Sequence, residues 1–383
     1  MWNTENNPEL KLVFPKLVLL ARRLHQGQRT DFWMKGGPMR KGLSAANFAL
    51  IMSFLILQAC SKIPCYPPSH FAPPANAHYT AEEVRLVAPA GHTLAGTLTL
   101  PSDRPSPHPA VVLITGSSPQ NRDMMGHWAW PASKFRPFRQ IADTLSNKGI
   151  AVLRMDDMGY GCSEGGPLLD ATTVERADDN RAMVDFLRDR SDIDPSRIGI
   201  IGLSEGGNIG PLIAATDPNI RALVIMAGCA TNGWKIQEHQ YRYDIERDEK
   251  LTEEEKEKAL KAKMQGLRVA VQEGKVNPWF AFFLEYMPLP TAKQVTCPVL
   301  ILHGDKDAHV PVEHAYYLAQ AIRSNGNPDV TVIIFKDINH VFLPDKDGRK
   351  SGYLKLLRKG AKVPNSVLDT ITEWFVKRLS AGH

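Results

Sequence analysis

Residues 202–207 read Gly-Leu-Ser-Glu-Gly-Gly, and this stretch decides how the chain is expected to fold. A pattern typical of a buried strand precedes it at residues 197–201, and a helical pattern follows at residues 208–215. Ser204 would then sit on a sharp strand-to-helix turn with its hydroxyl exposed above the carboxyl edge of a sheet. Glycines on either side leave room for neighbouring backbone. The stretch is typical of a nucleophile elbow, and the alternative is a glycine-rich turn with a solvated serine.

The positive charge of the chain is concentrated at its beginning. The 383 residues have a formal net charge of +5, and residues 1–60 hold eight Lys and Arg against three Asp and Glu, which is also +5. Residues 61–383 therefore hold 38 residues of each sign and are neutral. The length of the chain suffices for one large domain or two small ones, and the neutral body gives no electrostatic argument for binding nucleic acid.

An uncharged segment, residues 42–61, indicates an export signal. Its centre, residues 48–57, is a ten-residue apolar run that follows the basic pair Arg40 and Lys41. A basic start followed by a short apolar stretch is typical of a secretory signal peptide. Residues 57–60 read Leu-Gln-Ala-Cys and resemble a bacterial lipobox, in which the cysteine receives the lipid.

Cys60 is therefore the predicted lipidation site, and the mature protein is expected to be tethered to a membrane outside the cytoplasm. The alternative is an uncleaved anchor, because ~20 uncharged residues can span a bilayer. Both arrangements leave the basic flank inside. Residues 1–38 precede the basic start at Met39, which indicates an extension from a wrongly assigned start. Residues 61–80 contain five prolines and form the predicted tether.

The cysteines give no metal or redox motif. They number five, and no two of them are separated by two residues: Cys60, Cys65, Cys162, Cys229 and Cys297. A zinc site or redox pair of that type is therefore unsupported. An oxidising compartment would permit disulfides, but the sequence does not fix their pairing. Cys297 heads a predicted strand and is interpreted as a small buried hydrophobic residue.

Strand-like and helix-like stretches alternate through the predicted domain, residues 81–383. This alternation predicts an α/β fold with a mostly parallel sheet flanked by helices. Residues 83–87 and 92–100 are expected to pair antiparallel, and the apolar run 109–115 is typical of a central strand. The other predicted strands are residues 150–155, 197–203, 221–227, 298–302 and 330–335, and the predicted helices are residues 138–147, 174–188, 312–322 and 363–379.

One segment, residues 229–292, interrupts this alternation. It is helical and charged at first, with a run of glutamates and lysines at residues 253–258 that indicates a solvated face. It becomes aromatic at residues 278–286. An insertion at this point of the chain is expected to lie over the carboxyl edge of the sheet as a helical cap.

Ser204 needs a general base and an orienting carboxylate to act as a nucleophile at neutral pH. In serine hydrolases with such an elbow the chain order is serine, acid, histidine. Asp307 and His340 meet this order, and each follows a predicted strand. Asp305 is the alternative acid, with loop hydrogen bonding as its expected role. Three rival histidines lie at the strand end, in the acid loop or in the helix after it: His303, His309 and His314.

The oxyanion of an acyl transfer needs preorganised N–H donors, and the loss of one raises the barrier by ~3 kcal/mol. One predicted donor is the backbone N–H of Glu205, the residue after the serine. The other is the backbone N–H of Ser117, in the loop that follows the central strand. This chemistry needs neither a metal nor an organic cofactor, and none is predicted.

Several motifs resemble those of bacterial α/β-hydrolases of the serine aminopeptidase and short-chain esterase group. Residues 116–123 resemble its G-S-G-P-x-D-R-D segment, residues 154–163 its R-x-D-x-R-G-x-G-x-S turn, and residues 278–280 its cap. Residues 304–311 match its G-x-x-D-x-x-V-P acid loop. The resemblance covers residues 82–380 and implies an α/β-hydrolase fold with a helical cap. This chain departs from the family motifs at three positions. Ser118 stands in place of a glycine, Asn121 in place of an aspartate and Met158 in place of an arginine.

The sequence therefore predicts a membrane-tethered serine hydrolase that cleaves small-molecule carboxylic esters through an acyl-enzyme. One alternative is a peptidase of the same fold, for which Glu285 in the cap is the candidate ligand of the substrate amine. Another is a non-catalytic binding protein on a hydrolase scaffold, against which the complete set of three residues argues. If at least one aromatic of the cap lines the acyl site, short acyl chains are expected to fit and long ones to clash. The alternative is that all five aromatics only attach the cap to the rest of the domain: Trp279, Phe280, Phe282, Phe283 and Tyr286.

Overall fold

The computed structural model describes residues 65–126, 135–349 and 352–380. The expectations for residues 1–60, including lipidation of Cys60, lie outside the described part of the chain. Within that part, no helix combines the length and the apolar character needed to cross a bilayer.

In the described residues, eight strands form a single sheet in the order β1-β2-β4-β3-β5-β6-β7-β8. Strands β3 to β8 run parallel to one another, and β1 and β2 are antiparallel additions at one edge. The predicted antiparallel pair is therefore confirmed. The strands are β1 (Tyr79–Val87), β2 (Thr93–Pro101), β3 (His108–Ile114), β4 (Ala151–Met155), β5 (Ile193–Leu203), β6 (Ile220–Met226), β7 (Val299–Gly304) and β8 (Val330–Phe335).

The central strand β3 shows that the sheet is buried on both faces. Val112 and Ile114 belong to the apolar cluster on one face, and Val111 and Leu113 belong to the cluster on the other. Successive side chains of a strand point to opposite faces, so a continuous apolar run fits a strand covered on both sides. Burying each such side chain stabilises the fold by about 1.5–3 kcal/mol.

Helices cover both faces of the sheet. They are α1 (Pro137–Ser146), α2 (Thr173–Arg188), α3 (Gly206–Ala214), α4 (Gly233–Glu246), α5 (Glu253–Gln272), α6 (Pro278–Glu285), α7 (Pro288–Ala292), α8 (Glu313–Arg323), α9 (Tyr353–Arg358) and α10 (Asn365–Arg378). Apolar side chains of α2, α3 and α8 join one cluster, and those of α1, α9 and α10 join the other. This is the α/β-hydrolase fold, so the predicted fold class is confirmed.

Helices α4, α5 and α6 lie between β6 and β7 and form the cap. Each begins after a polar residue whose side chain accepts a hydrogen bond from a backbone N–H of the first turn: Asn232, Thr252 and Asn277. Helix α7 differs, because it packs against α3 and α8, and its Ala292 belongs to the core. The predicted insertion, residues 229–292, thus ends in a helix of the body.

One disulfide, Cys65–Cys162, joins the start of the described chain to the turn after β4. The sequence analysis left the pairing of the cysteines open. Cys229 and Cys297 are free and buried, which agrees with the interpretation of Cys297 as a small hydrophobic residue. The disulfide fastens residues that precede β1 to the main sheet, although 97 residues separate its two ends.

We expect the double variant Cys65→Ala/Cys162→Ala to have a free energy of unfolding about 2–4 kcal/mol lower than that of the parent protein. The reason is that the cross-link restricts the conformational freedom of the unfolded chain. Denaturant unfolding under non-reducing conditions measures the difference. A reductant should lower the stability of the parent to that of the variant and leave the variant unchanged. Equal stability of parent and variant without reductant would contradict a structural role for the disulfide.

Candidate active site

Ser204 occupies a strained turn between β5 and α3. Its φ is +57°, in the left-handed region that glycine favours, and its backbone N–H donates to the carbonyl of Met226 at 2.8 Å. The turn is tight enough that a Cβ at Gly202 would lie 1.9 Å from the carbonyl oxygen of Gly206. A Cβ at Gly206 would lie 2.3 Å from the carbonyl oxygen of Ile114. Both glycines are therefore required by close backbone packing.

The structure brings Ser204, His340 and Asp307 into one hydrogen-bonded chain. His340 Nε2 lies 3.0 Å from Ser204 Oγ, and His340 Nδ1 lies 2.7 Å from Asp307 Oδ2. Asp307 follows β7 and His340 follows β8, so both loops meet the elbow at the carboxyl edge of the sheet. In this arrangement the imidazole can take the serine proton while the carboxylate fixes its tautomer.

Asp307 is buried and surrounded by donors. Its Oδ1 accepts the backbone N–H groups of His309 at 2.7 Å and of Val310 at 2.9 Å. His303 Nε2 lies 3.1 Å from Oδ2. Burial acts to raise the pKa of Asp307, but the charge of His340 and the hydrogen bonds from His303 and His340 hold that pKa well below its usual range. The carboxyl group therefore stays ionised where an imidazole titrates.

The rival acid and bases have other roles in the structure. Asp305 accepts the backbone N–H of Asp337 at 2.6 Å, which is the loop role expected for it. His314 Nδ1 accepts the backbone N–H of Ala230 at 3.0 Å, and burial lowers the pKa of His314 to about 4. The ring of His309 lies 4.8 Å from that of His340 and lines the cavity beside it.

His303 has a role that the sequence analysis missed. It is fully buried, and its Nδ1 has no hydrogen-bond partner among the described residues. Its Nε2 lies 3.1 Å from Asp307 Oδ2 and 3.1 Å from the carbonyl oxygen of Val310, and because both oxygens are acceptors, Nε2 is the donating nitrogen. A histidine four residues before the acid, at the end of a buried strand, was the available signal.

Ser117 and Glu205, the predicted oxyanion donors, both line the cavity that contains Ser204. Gly116, just before Ser117, packs against the elbow, because a Cβ there would lie 3.3 Å from Ser204 Cβ. Glu205 has helical backbone angles and directly precedes α3. Its N–H therefore belongs to the first turn of a helix, where backbone donors are not used within the helix.

Asp157 anchors the loop that contains Ser117. It accepts the hydroxyl of Thr115 at 2.5 Å and the backbone N–H of Gln120 at 2.8 Å. Burial raises the pKa of Asp157 to about 6, against the opposing effects of Arg176 and these two bonds. The two ends of the loop are thus fixed on one side chain from the turn after β4.

The cavity above Ser204 has a volume of about 710 Å³, within the usual range for small-molecule sites. Most of its lining is apolar, and the cap contributes Trp279 and Phe283 from α6. Glu285, the candidate ligand for a substrate amine, is not among the lining residues and instead accepts the indole N–H of Trp234 at 2.8 Å.

The sequence profile of the prolyl oligopeptidase family matches residues 137–358, which is more than half of the 383 residues. The chain belongs to this family. The matched residues contain Ser204, Asp307 and His340 together with the whole cap.

Relatives of this family member include a named esterase. The chain is 27% identical to esterase EstD of Thermotoga maritima over 292 residues, which cover 74% of this chain and 66% of EstD. The chain is also 26% identical to YfhR, an uncharacterized protein of Salmonella typhimurium. That match covers 42% of this chain and 51%, about half, of YfhR.

Solved structures share the fold at low sequence identity. A Pyrococcus furiosus esterase superposes with a TM-score of 0.53 at 18% identity, covering 83% of this chain and 96% of that one. The Pyrococcus horikoshii acylaminoacyl peptidase also superposes with a TM-score of 0.53 at 18% identity, covering 80% of this chain and 43% of that one. Esterases and peptidases thus share this architecture.

Asp307, His309 and His340 form a group that offers metal-ligating atoms within 4.8 Å of one another. Two of the three also form the chain of contacts to Ser204. Both ring nitrogens of His340 already face Ser204 or Asp307, and Asp307 already receives several donors. The donor set therefore fits proton transfer from the serine better than metal binding.

We expect Ser204→Ala and His340→Ala each to lower kcat for ester hydrolysis by a factor on the order of 10⁴ or more, because the residues act as one unit. Asp307→Asn should lower kcat less than Ser204→Ala does. The matched control is Asp305→Asn, two residues away and exposed, which should retain most of the activity. Steady-state kinetics of the four variants tests this. A larger loss in Asp305→Asn than in Asp307→Asn would contradict the assignment of the acid.

Proposed function

We propose that the protein is a serine hydrolase that cleaves carboxylic esters of short acyl chains through an acyl-enzyme intermediate. The observation that supports this best is the chain of contacts from Ser204 Oγ through His340 to Asp307, at 3.0 Å and 2.7 Å, next to an apolar cavity. A binding protein would have no need for this chain of contacts.

Acylation follows from the geometry. Ser204 Oγ attacks the ester carbonyl carbon as His340 Nε2 takes the hydroxyl proton, and the carbonyl π electrons move to the oxygen. The N–H groups of Ser117 and Glu205 stabilise that oxyanion. When the oxyanion collapses, the bond to the alkoxy oxygen breaks and His340 returns the proton to the leaving alcohol.

Deacylation repeats these steps with water as the nucleophile. His340 takes a proton from water, the hydroxyl oxygen attacks the acyl carbon, and the ester bond to Ser204 Oγ breaks. The proton then returns to Ser204, and the carboxylic acid leaves. Asp307 remains ionised throughout and stabilises the imidazolium each time it forms.

The cavity supports an ester substrate over a peptide with a free amino terminus. Such an amine needs an unpaired carboxylate nearby, and Glu285 lies outside the lining. Glu205 lines the cavity, but its carboxylate already accepts from Arg176, Thr173 and Trp279. The family name and the acylaminoacyl peptidase fold keep peptide cleavage as the alternative, which an aminoacyl p-nitroanilide tests in the same assay.

The cap supports a preference for short acyl chains. Trp279 and Phe283 stack on each other with ring centroids 5.4 Å apart, and both line the cavity. Gly233 of α4 packs under Phe283, because a Cβ there would lie 2.5 Å from Phe283 Cδ1. The phenyl ring has little room to withdraw. These rings form a wall against which a long chain would clash.

We expect kcat/KM to rise from p-nitrophenyl acetate to the butyryl or hexanoyl ester and to fall for longer chains. Each methylene that fits contributes ~0.8 kcal/mol of binding until the cavity ends. Phe283→Ala should shift the optimum to longer chains. Phe282→Ala is the matched control, because Phe282 lies on the same helix, stacks on Tyr286 and is not a lining residue. Activity still rising at the palmitoyl ester in the parent would contradict the proposed wall.

We also propose that the mature protein is a lipoprotein that begins at Cys60 and is held at a membrane outside the cytoplasm. The uncharged segment and the lipobox-like residues 57–60 support this. The disulfide Cys65–Cys162 supports an oxidising compartment, since such bonds are rare in the cytosol.

We expect mass spectrometry of the protein extracted from bacterial membranes to find a mature chain that begins at an acylated Cys60. Cys60→Ala should remove the lipid, because alanine has no thiol to modify. Cys297→Ala is the control, since that thiol is buried in the fold. A mature chain that retains residues before Cys60 would contradict the proposed lipoprotein.

A further inference from the structure

Arg176 links the two proposed oxyanion donors through one guanidinium group. It lies in the first turns of α2 and is buried, at 2% exposure. Its Nη2 donates to the carbonyl oxygen of Gly116 at 2.8 Å, and its Nη1 donates to the carboxylate of Glu205 at 2.5 Å. Since the guanidinium is a rigid planar fork, one side chain connects the loop after β3 to the residue after Ser204.

The bond to Gly116 fixes the orientation of a peptide group. The carbonyl of Gly116 and the N–H of Ser117 belong to one planar trans peptide, so they point in opposite directions. A donor that holds the carbonyl therefore also directs the N–H of Ser117 away from Arg176. Gly116 has no side chain to restrict its own backbone, so this orientation depends on an external partner.

The second bond of Arg176 holds the side chain of Glu205, the residue whose backbone N–H is the other proposed donor. Glu205 is buried, and its carboxylate accepts from three groups, Arg176 at 2.5 Å, the Thr173 hydroxyl at 2.7 Å and the indole N–H of Trp279 at 2.9 Å. Thr173 and Arg176 are three residues apart and share a face of α2. A capping box at Thr172 holds the start of that helix.

Stability alone gives little reason to bury this ion pair. Desolvation offsets much of the attraction between buried charges, and apolar residues of similar volume are often as stabilising. The pair instead connects three parts of the site, namely the loop with Ser117, the elbow and the cap. Arg176 is not among the residues that line the cavity, so it acts through these neighbours.

We propose that Arg176 is a positioning residue for the oxyanion hole. By holding the Gly116 carbonyl and the Glu205 carboxylate at once, it keeps the N–H groups of Ser117 and Glu205 directed at the same point beside Ser204. The inference rests on the proposed function. Arg176 would thus affect how well the site stabilises the transition state without itself contacting the substrate.

Arg176→Met tests the proposal. It removes both donors while keeping a long apolar stem, so the Gly116–Ser117 peptide loses its partner. We expect kcat per titrated active site to fall by a factor on the order of 10², as for the loss of an oxyanion donor, with KM changed less than about threefold. Active-site titration with a fluorophosphonate separates this effect from a smaller fraction of folded enzyme.

A second readout distinguishes positioning from general damage. A trifluoromethyl ketone forms a hemiketal with Ser204 whose oxygen occupies the oxyanion site, whereas the corresponding alcohol forms no such oxyanion. Arg176→Met should weaken inhibition by the ketone about as much as it lowers kcat/KM, and it should leave inhibition by the alcohol nearly unchanged. Equal weakening of both would overturn the proposal.

The matched control is Arg181→Met, which removes another arginine of α2 that pairs with Asp178 near the surface. It should leave kcat and ketone inhibition unchanged. If Arg176→Met does not fold, Arg176→Lys provides the test. Lysine keeps the charge beside Glu205 but does not present a planar fork, so kcat per titrated site should still fall at least about tenfold.

The outcomes separate this inference from the proposed function. Ester hydrolysis that survives Ser204→Ala would overturn the proposed function itself. Suppose instead that hydrolysis depends on Ser204 but Arg176→Met keeps a normal kcat. That result would overturn only the role of Arg176, and Arg176→Lys gives the same test if Arg176→Met does not fold.

Discussion

The left-handed backbone of Ser204 is the constraint on which the rest of the site depends. An L-residue in that conformation is disfavoured by roughly 1–2 kcal/mol, and the fold maintains it through the bond to Met226 and the packing of Gly202 against Gly206. Because the turn is so tight, the hydroxyl of Ser204 projects away from β5, and the backbone N–H of Glu205 lies at the start of α3. The loops after β3, β7 and β8 then meet at the carboxyl edge of the sheet, where each contributes residues to the cavity above Ser204.

Buried polar contacts convert that point into an ordered site. Asp307 receives backbone and imidazole donors, Asp157 anchors the loop after β3, and Glu205 accepts from α2 and from the cap. Each of these carboxylates lies where an unpaired charge would strongly destabilise the fold. Their partners therefore fix geometry, so the groups that meet substrate need little rearrangement during acyl transfer.

The sequence predicted the fold and the three central side chains because their signals are local. Ser204 lies in a glycine-flanked turn, and Asp307 and His340 each follow an apolar strand. Other contacts join distant parts of the chain: 29 residues separate Arg176 from Glu205, and 74 separate Trp279 from Glu205. The Cys65–Cys162 pair is 97 residues apart. Such contacts depend on how α2, the cap and the turn after β4 pack, which no local pattern determines.

Covalent labelling tests the central claim, that Ser204 is the nucleophile, most directly. A fluorophosphonate transfers its phosphonyl group to an activated serine oxygen as the bond between phosphorus and fluorine breaks. Peptide mass spectrometry of the labelled protein should find one phosphonyl group per chain, on Ser204, with ester hydrolysis lost in proportion to labelling. Hydrolysis that persists when Ser204 is fully labelled, or a label on another residue that abolishes activity, would contradict the account.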